Sequence, residues 1–189
     1  MEDSAFMDRA LELAREAAAE GEVPVGCVVT LGDRIVGEGR NRRETAKNAL
    51  CHAELEAINA ACEALGGWRL WECSLYVTLE PCPMCAGAIV NARIPRVFYG
   101  AADPKNGCCG SVVNLFALPF NHRPELTGGL REAECAAPEG RVRPGRASPA
   151  GIGQDHASGA KKQEYCLPKQ PWPGLPDKRF ARARGSRRD

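Results

Sequence analysis

Helix-like and strand-like patterns alternate from residue 53 to residue 100, and this alternation limits the chain to an α/β fold. Residues 53–64 carry apolar side chains at helical spacing, and Gly66-Gly67 ends that pattern. Residues 73–79 form a short apolar run typical of a strand, residues 82–93 are helix-like, and residues 96–100 are strand-like. Strands and helices in such alternation pack as a sheet covered by helices.

A helix and a hairpin precede the alternating region. Residues 4–20 have one apolar helical face, and residues 25–30 and 34–38 read as two strands joined by a tight turn. Residues 112–116 and 129–136 are predicted as short helices. An opening hairpin followed by alternating elements predicts an α/β sandwich with a mixed sheet.

Composition divides the chain near Ala137. Residues 1–137 hold 13 Lys and Arg against 19 Asp and Glu, a net charge of −6, whereas residues 138–189 hold 12 against 5, a net charge of +7. The second stretch has seven of the 14 prolines and no sustained period of 3.6 or 2. We predict one folded domain over residues 1–137 and a basic, irregular tail rich in Pro, Gly and Arg over residues 138–189.

Several protein classes are excluded by simple features. No stretch approaches the ~18–20 uninterrupted apolar residues of a membrane span, and the acidic start Met1-Glu2-Asp3-Ser4 is unlike a signal peptide. Ten cysteines in a chain of this kind predict reduced thiols or metal ligands rather than disulfides. We therefore expect a cytoplasmic protein.

Two short segments beside the predicted strand 73–79 carry the candidate chemistry. His52 and Glu54 open the second helix, and Cys82 and Cys85 open the third. One histidine and two cysteines are ligand types that zinc prefers, and three protein ligands are typical of a catalytic site that leaves one position to water. Glu54 then lies close enough to move protons to and from that water.

Other interpretations of these cysteines weaken the metal hypothesis to different degrees. A lone Cys-x-x-Cys pair also occurs by chance or as a redox pair. A fourth ligand from Cys51, Cys108 or Cys109 would make the site structural instead of catalytic. We interpret Cys51 as a small core residue and Cys108-Cys109 as small loop residues. Four further cysteines lie in apolar runs and are predicted to pack in the core: Cys27, Cys62, Cys73 and Cys135.

The His-x-Glu and Pro-Cys-x-x-Cys segments together match the signature of zinc-dependent nucleobase deaminases. Within that group, residues ~4–137 resemble the bacterial tRNA-specific adenosine deaminases, which convert the wobble adenosine of an anticodon to inosine. The resemblance is carried by the blocks Gly21-Glu22-Val23-Pro24-Val25-Gly26, Gly39-Arg40-Asn41-Arg42-Arg43-Glu44, His52-Ala53-Glu54-Leu55, Thr78-Leu79-Glu80-Pro81-Cys82-Pro83-Met84-Cys85-Ala86-Gly87-Ala88-Ile89, Tyr99-Gly100-Ala101-Ala102-Asp103-Pro104-Lys105 and Asn121-His122-Arg123.

The resemblance implies a fold, a reaction and a set of partners. The fold is a cytidine deaminase-like three-layer α/β/α sandwich with a mixed central sheet of about five strands. One zinc ion per subunit is held by His52, Cys82 and Cys85, and Glu54 shuttles protons during hydrolysis, which releases ammonia. The substrate is a tRNA anticodon stem-loop, and the enzyme is a homodimer.

The resemblance also implies how the substrate is bound. Asn41 matches a residue that hydrogen-bonds the flipped purine, Val23 and Leu79 match apolar walls, and the backbone at Ala53 contacts the reacting end. Asp103 and Lys105 match a loop near the RNA backbone, although an ordinary solvated turn explains that segment equally well. Candidate phosphate contacts come from the basic residues of the domain: Arg40, Arg42, Arg43, Lys47, Arg93, Arg96, Lys105 and Arg123.

Two other functions stay open from the sequence. A deaminase of a free base or nucleoside, such as guanine or cytidine, would use the same metal and glutamate. A non-catalytic zinc-binding RNA module is disfavoured by Glu54, because a structural site needs no carboxylate beside it. The relatives end in an amphipathic helix, whereas here Pro138-Glu139-Gly140 interrupts the pattern. The tail is either a genuine basic extension that adds affinity for RNA or the product of a frameshift near residue 137.

Overall fold

A computed structural model describes residues 3–137 of the chain. The tail predicted over residues 138–189 lies outside the described residues. The regular elements follow in chain order: α1 (Asp3–Ala19), β1 (Gly26–Leu31), β2 (Arg34–Arg40), α2 (Ala53–Leu65), β3 (Cys73–Leu79), α3 (Pro83–Ala92), β4 (Arg96–Ala101), a 3₁₀ turn (Leu115–Ala117), β5 (Glu125–Gly128) and α4 (Glu132–Ala136).

The five strands form one mixed sheet in the order β2-β1-β3-β4-β5. β1 runs antiparallel to β2 and to β3, while β3, β4 and β5 run parallel to one another. The prediction of a mixed sheet of about five strands is confirmed. The parallel pair β3 and β4 is joined through α3, the crossover that a parallel connection requires.

Successive strand residues point to opposite faces of the sheet and build two cores. Val29, Leu75 and Val77 lie in the larger core, which the sheet shares with α2 and α3. Val28 and Tyr76 lie in the other core, with α1 and α4. The predicted three-layer α/β/α arrangement follows directly from this alternation.

Two glycines let helices lie almost in contact with the strands beneath them. A Cβ at Gly39 of β2 would lie 2.2 Å from the carbonyl oxygen of Ala53 in α2. A Cβ at Gly26 of β1 would lie 2.0 Å from the carbonyl oxygen of Ala10 in α1. Both distances are far below van der Waals contact, so the position of each helix depends on the absence of a side chain.

The structure corrects two details of the predicted elements. The short helix expected at residues 112–116 is a 3₁₀ turn at Leu115–Ala117, which Asn114 caps by accepting hydrogen bonds from two backbone N–H groups. The four-residue strand β5 is absent from the sequence prediction, because it offers one half-buried apolar side chain, Leu126, and so shows no alternation. Among residues 3–137, no helix has the length and apolar character that crossing a membrane requires.

Candidate active site

The candidate site lies where α2 and α3 begin, beside the end of β3. His52 directly precedes α2, and Cys82 directly precedes α3, both with extended backbone. Pro83 occupies the start of α3, where its fixed φ suits a helix and its missing N–H costs nothing. Cys85 then falls in the first turn of α3. The N-termini of two helices, which favour anionic ligands such as thiolates, therefore face one point.

The three predicted ligands form a compact triangle. The Nδ1 atom of His52 lies 3.8 Å from the Sγ atom of Cys82 and 3.6 Å from that of Cys85, and the two sulfurs are 3.6 Å apart. Ligands of a tetrahedral zinc ion, at bond lengths of about 2.0–2.3 Å, lie about 3.5–3.8 Å from one another. The donor set and its spacing fit one zinc ion with a fourth position left over.

Glu54 places a carboxyl group beside this triangle, within hydrogen-bonding reach of Cys85. It lies in the first turn of α2 and is buried. Burial raises the pKa of its carboxyl group, partly offset by hydrogen bonding to Cys85 and by the nearby His52. A carboxyl group at this place is suited to exchange protons with a water molecule held at the ligand triangle.

The pKa values of the two thiols shift in opposite directions. The pKa of Cys82 is lowered to about 4, first by its hydrogen bond with Cys85 and then, against the effect of burial, by its hydrogen bond with His52. The pKa of Cys85 is raised, first by the same contact with Cys82 and second by burial. The pKa of His52 is raised by its hydrogen bond with Cys82.

A cavity of about 470 Å³ opens above the triangle. This volume falls within the ~300–1,000 Å³ range typical of pockets for small molecules. The lining includes eight predicted site residues: Val23, Asn41, His52, Ala53, Glu54, Leu79, Cys82 and Asp103. Cys85 belongs to the ligand triangle without lining the cavity, and Lys105 lies outside the lining.

Comparison with known proteins assigns the chain to a family. A family profile described as MafB19-like deaminase matches residues 1–142.

The chain belongs to the MafB19-like deaminase family.

The relatives of this deaminase narrow the comparison further. The chain is 47% identical over 135 residues to the tRNA-specific adenosine deaminase of Bacillus subtilis, a match that covers 71% of this chain and 84% of the relative. A solved structure from a study of A-to-I editing by tRNA:A34 deaminases at the wobble position is 47% identical, with a TM-score of 0.68, covering 70% of this chain and 96% of the other. The guanine deaminase of Bacillus subtilis is 37% identical, with a TM-score of 0.54, covering 66% and 84%. The resemblance inferred from the sequence is confirmed.

Several residues of the deaminase pocket were missed by sequence reasoning. Glu80, Pro83, Met84, Val25 and Asn106 line the cavity. The first four lie inside the sequence blocks that carry the resemblance, but none of them was predicted to line the pocket. Asn106 lies directly after the last residue of such a block, and its type gave no signal.

Two buried carboxylates hold the loops on either side of the pocket. Glu22 accepts hydrogen bonds from the backbone N–H groups of Glu44 and Thr45 at 3.2 and 2.7 Å. Burial by itself would raise the pKa of Glu22, but these hydrogen bonds outweigh it and lower that pKa. Glu80 is held in the same way by hydrogen bonds from Ser111 and its neighbours, and its pKa is likewise lowered against the effect of burial.

The basic residues proposed as phosphate contacts are partly engaged within the protein. Arg42 forms a two-pronged ion pair with Glu56, and Arg40 pairs with Glu20 at 2.6 Å. Arg43, which lines the pocket, pairs with the exposed Glu44. Exposed pairs of this kind contribute little and exchange readily for other partners.

The other cysteines of residues 3–137 do not belong to the ligand triangle. Cys108 and Cys109 are buried in the larger core, so the interpretation as loop residues is refined to core packing within a loop. The prediction that Cys51 is a core residue is wrong: it is half-buried near Glu56, outside both cores, and burial raises the pKa of its thiol. Within residues 3–137, His52, Cys82 and Cys85 are the group that brings three metal-binding side chains together.

Proposed function

We propose that this deaminase hydrolyses the wobble adenosine of a tRNA anticodon loop to inosine and releases ammonia. The observation that carries the proposal is the triangle of His52, Cys82 and Cys85 with the buried Glu54 beside it, at the base of a pocket of suitable volume. The 47% identity to a tRNA-specific adenosine deaminase supports adenosine in tRNA as the substrate.

The residues of the chain divide the chemical work between them. A zinc ion held by His52, Cys82 and Cys85 would lower the pKa of a water molecule toward about 7. Glu54 takes a proton from that water and delivers protons to ring N1 and to the amine that departs from C6. One water oxygen replaces one amine nitrogen, so the products are inosine and ammonia.

The walls of the pocket are suited to a flat heterocycle. Val23 and Leu79 supply apolar surface on the lining, and the Asn41 side chain donates to the carbonyl oxygen of Val23 at 3.4 Å, leaving its amide oxygen for the base. A base inside a duplex could not enter, whereas an anticodon nucleotide is already single-stranded and unstacks at a cost of a few kcal/mol.

A deaminase of a free base is the second candidate function. The structural likeness to a guanine deaminase, at 37% identity and a TM-score of 0.54, favours this alternative. Guanine would use the same metal ligands and the same glutamate. The two candidates differ in whether the nucleotides around the reacting base contribute to binding.

A direct comparison of substrates tests the proposal. Purified full-length protein with zinc is incubated with an anticodon stem-loop that begins with adenosine, and in parallel with adenosine, cytidine and guanine. Inosine at the wobble position is measured by mass spectrometry of digested RNA. We expect conversion of the stem-loop alone, with the rate reduced by about 10²-fold or more in Glu54→Ala.

Glu63→Ala is the matched control, because Glu63 lies at the other end of α2, where its carboxylate accepts a hydrogen bond from Asn59 of the same helix. It should retain the wild-type rate. Turnover of guanine with no turnover of the stem-loop would contradict the proposal and support the second candidate function, deamination of a free base. Full activity of Glu54→Ala would contradict the assignment of Glu54.

As an assembly, we propose a homodimer that works in the cytoplasm, where its tRNA substrate is found. Residues 112–120 include four exposed large apolar side chains, and contiguous apolar surface of this kind marks protein–protein contact sites: Val112, Val113, Leu118 and Phe120. Pairing of two copies through this segment would remove it from water. Sedimentation velocity tests the proposal: a dimer that Phe120→Ser weakens supports it, and a monomer at all concentrations contradicts it.

A further inference from the structure

Glu80 directly follows β3, and both oxygens of its carboxylate accept hydrogen bonds from one loop that is distant in sequence. Its Oε1 atom accepts from the backbone N–H groups of Cys109 and Ser111 at 2.8 and 3.0 Å. Its Oε2 atom accepts from the N–H group of Asp103 at 3.0 Å and from the hydroxyl of Ser111. All four donors belong to residues 103–111, which we call the rim loop.

The rim loop also packs against Glu80 so closely that one position excludes a side chain. A Cβ at Gly107 would lie 2.3 Å from the carboxyl carbon of Glu80. The N–H group of Gly107 donates to the carbonyl oxygen of Asp103 at 2.8 Å, and that of Cys108 donates to the carbonyl oxygen of Pro81 at 2.9 Å. The rim loop therefore surrounds Glu80, and only 2% of the surface of this residue is exposed.

The rim loop carries two residues of the pocket wall. Asp103 and Asn106 line the cavity, and the Asp103 carboxylate accepts the N–H groups of Lys105 and Asn106. Glu80 itself has both oxygens occupied by these loop donors and so differs from Glu54, whose task is to move protons.

We infer that Glu80 is a positioning residue that fixes the rim loop at the pocket mouth and so sets the affinity for the RNA around the reacting base. The inference rests on the proposed function, because it assigns to the rim loop the binding of the anticodon loop. Ordering the rim loop before the substrate arrives avoids an entropy cost that binding would otherwise bear.

Glu80→Gln is the first test, because the amide keeps the shape of the side chain but places an NH₂ group among backbone donors. We expect KM for the stem-loop to rise about 10-fold or more, with kcat within about threefold of wild type and one zinc per chain. Hydrogen exchange at the amides of Cys109 and Ser111 should accelerate. Glu72→Gln is the matched control, since Glu72 is exposed at the opposite end of β3.

Gly107→Ala perturbs the same contact from the loop side. It should raise KM in the same way, and the double variant Glu80→Gln/Gly107→Ala should be no worse than the more affected single variant, because both remove one shared contact. Gly67→Ala is its control, since a Cβ at Gly67 meets nothing within 4 Å. Thermal unfolding establishes that each variant is folded before kinetics are compared.

Three outcomes would overturn the inference. A fall in kcat at unchanged KM would place Glu80 in the chemical step, and loss of zinc from folded Glu80→Gln would make it a support for Cys82 instead. Unchanged exchange at Cys109 and Ser111 would show that Glu80 does not hold the rim loop. If the wild type leaves the stem-loop intact, the proposed function fails separately, and the exchange measurement still decides whether Glu80 orders the loop.

Discussion

Gly39→Ala should damage catalysis from a distance by shifting one helix. Gly39 lies beneath the first turn of α2, which carries Glu54 and directly follows His52. A Cβ at position 39 would lie 2.2 Å from the Ala53 oxygen, whereas ordinary contact begins near 3.4 Å. Position 39 and the turn must therefore separate by about 1.2 Å, because a closely packed backbone cannot take up the added methyl group in place.

The size of this shift sets the expected loss. Cys82 and Cys85 lie at the start of α3 and not on α2, so a displacement of the first turn of α2 separates His52 and Glu54 from them. A misplacement of about 1 Å can cost 10²-fold in rate. We expect kcat to fall about 10²-fold and zinc affinity to weaken, together with a loss of about 1–3 kcal/mol in the free energy of unfolding.

Gly26→Ala is the matched variant for this experiment. It introduces the same methyl group 2.0 Å from the carbonyl oxygen of Ala10, but the helix it displaces is α1 on the opposite face of the sheet. It should lose similar stability and keep kcat within about threefold. The assays are inosine formation, zinc competition with a chromogenic chelator, and urea unfolding. A folded Gly39→Ala with wild-type kcat and zinc affinity would refute the reasoning.

Further predictions follow from single contacts. Cys82→Ala should abolish zinc binding measured by elemental analysis, whereas Cys108→Ala, a core cysteine outside the triangle, should retain one zinc per chain. Glu22 has a lowered folded pKa, so its stabilisation is complete above its unfolded pKa of about 4.3 and is lost as the pH falls through the folded value. Glu22→Gln should therefore flatten the acid limb of the stability profile in urea titrations; an unchanged limb would contradict this. Tyr76→Phe removes a 2.6 Å hydrogen bond to Asp3 that ties β3 to α1, and should lower the free energy of unfolding by about 1 kcal/mol without changing kcat.

The parts of the fold that were predictable are those with local signals. α2 was predicted nearly to its ends because its apolar spacing is helical and Gly66 adopts the left-handed conformation that ends a helix. The ligands His52, Cys82 and Cys85 were predictable because zinc selects residue types, and helix starts leave few ways to arrange them.

The parts that escaped prediction depend on distant partners. Glu80 follows a strand-like run, but the donors that bury it lie 23–31 residues further along the chain. Gly39 lies one residue beyond the predicted strand 34–38, although β2 extends to Arg40, and its close contact with α2 appears only once that helix is placed on the sheet. β5 gains its strand structure from pairing with β4 rather than from its own composition. None of these features leaves a trace at its own position in the sequence.

The arrangement of the ligand triangle also ties metal supply to the stability of the chain. His52 and Cys82 are 30 residues apart, and the stretch between them includes all of α2 and β3. A covalent cross-link of that span would remove about 3.5 kcal/mol of chain entropy from the unfolded state. The nine cysteines of residues 3–137 form no disulfide. A bound zinc ion would thus act as a reversible cross-link that spans α2 and β3. Zinc depletion would then lower the stability of the protein as well as its activity.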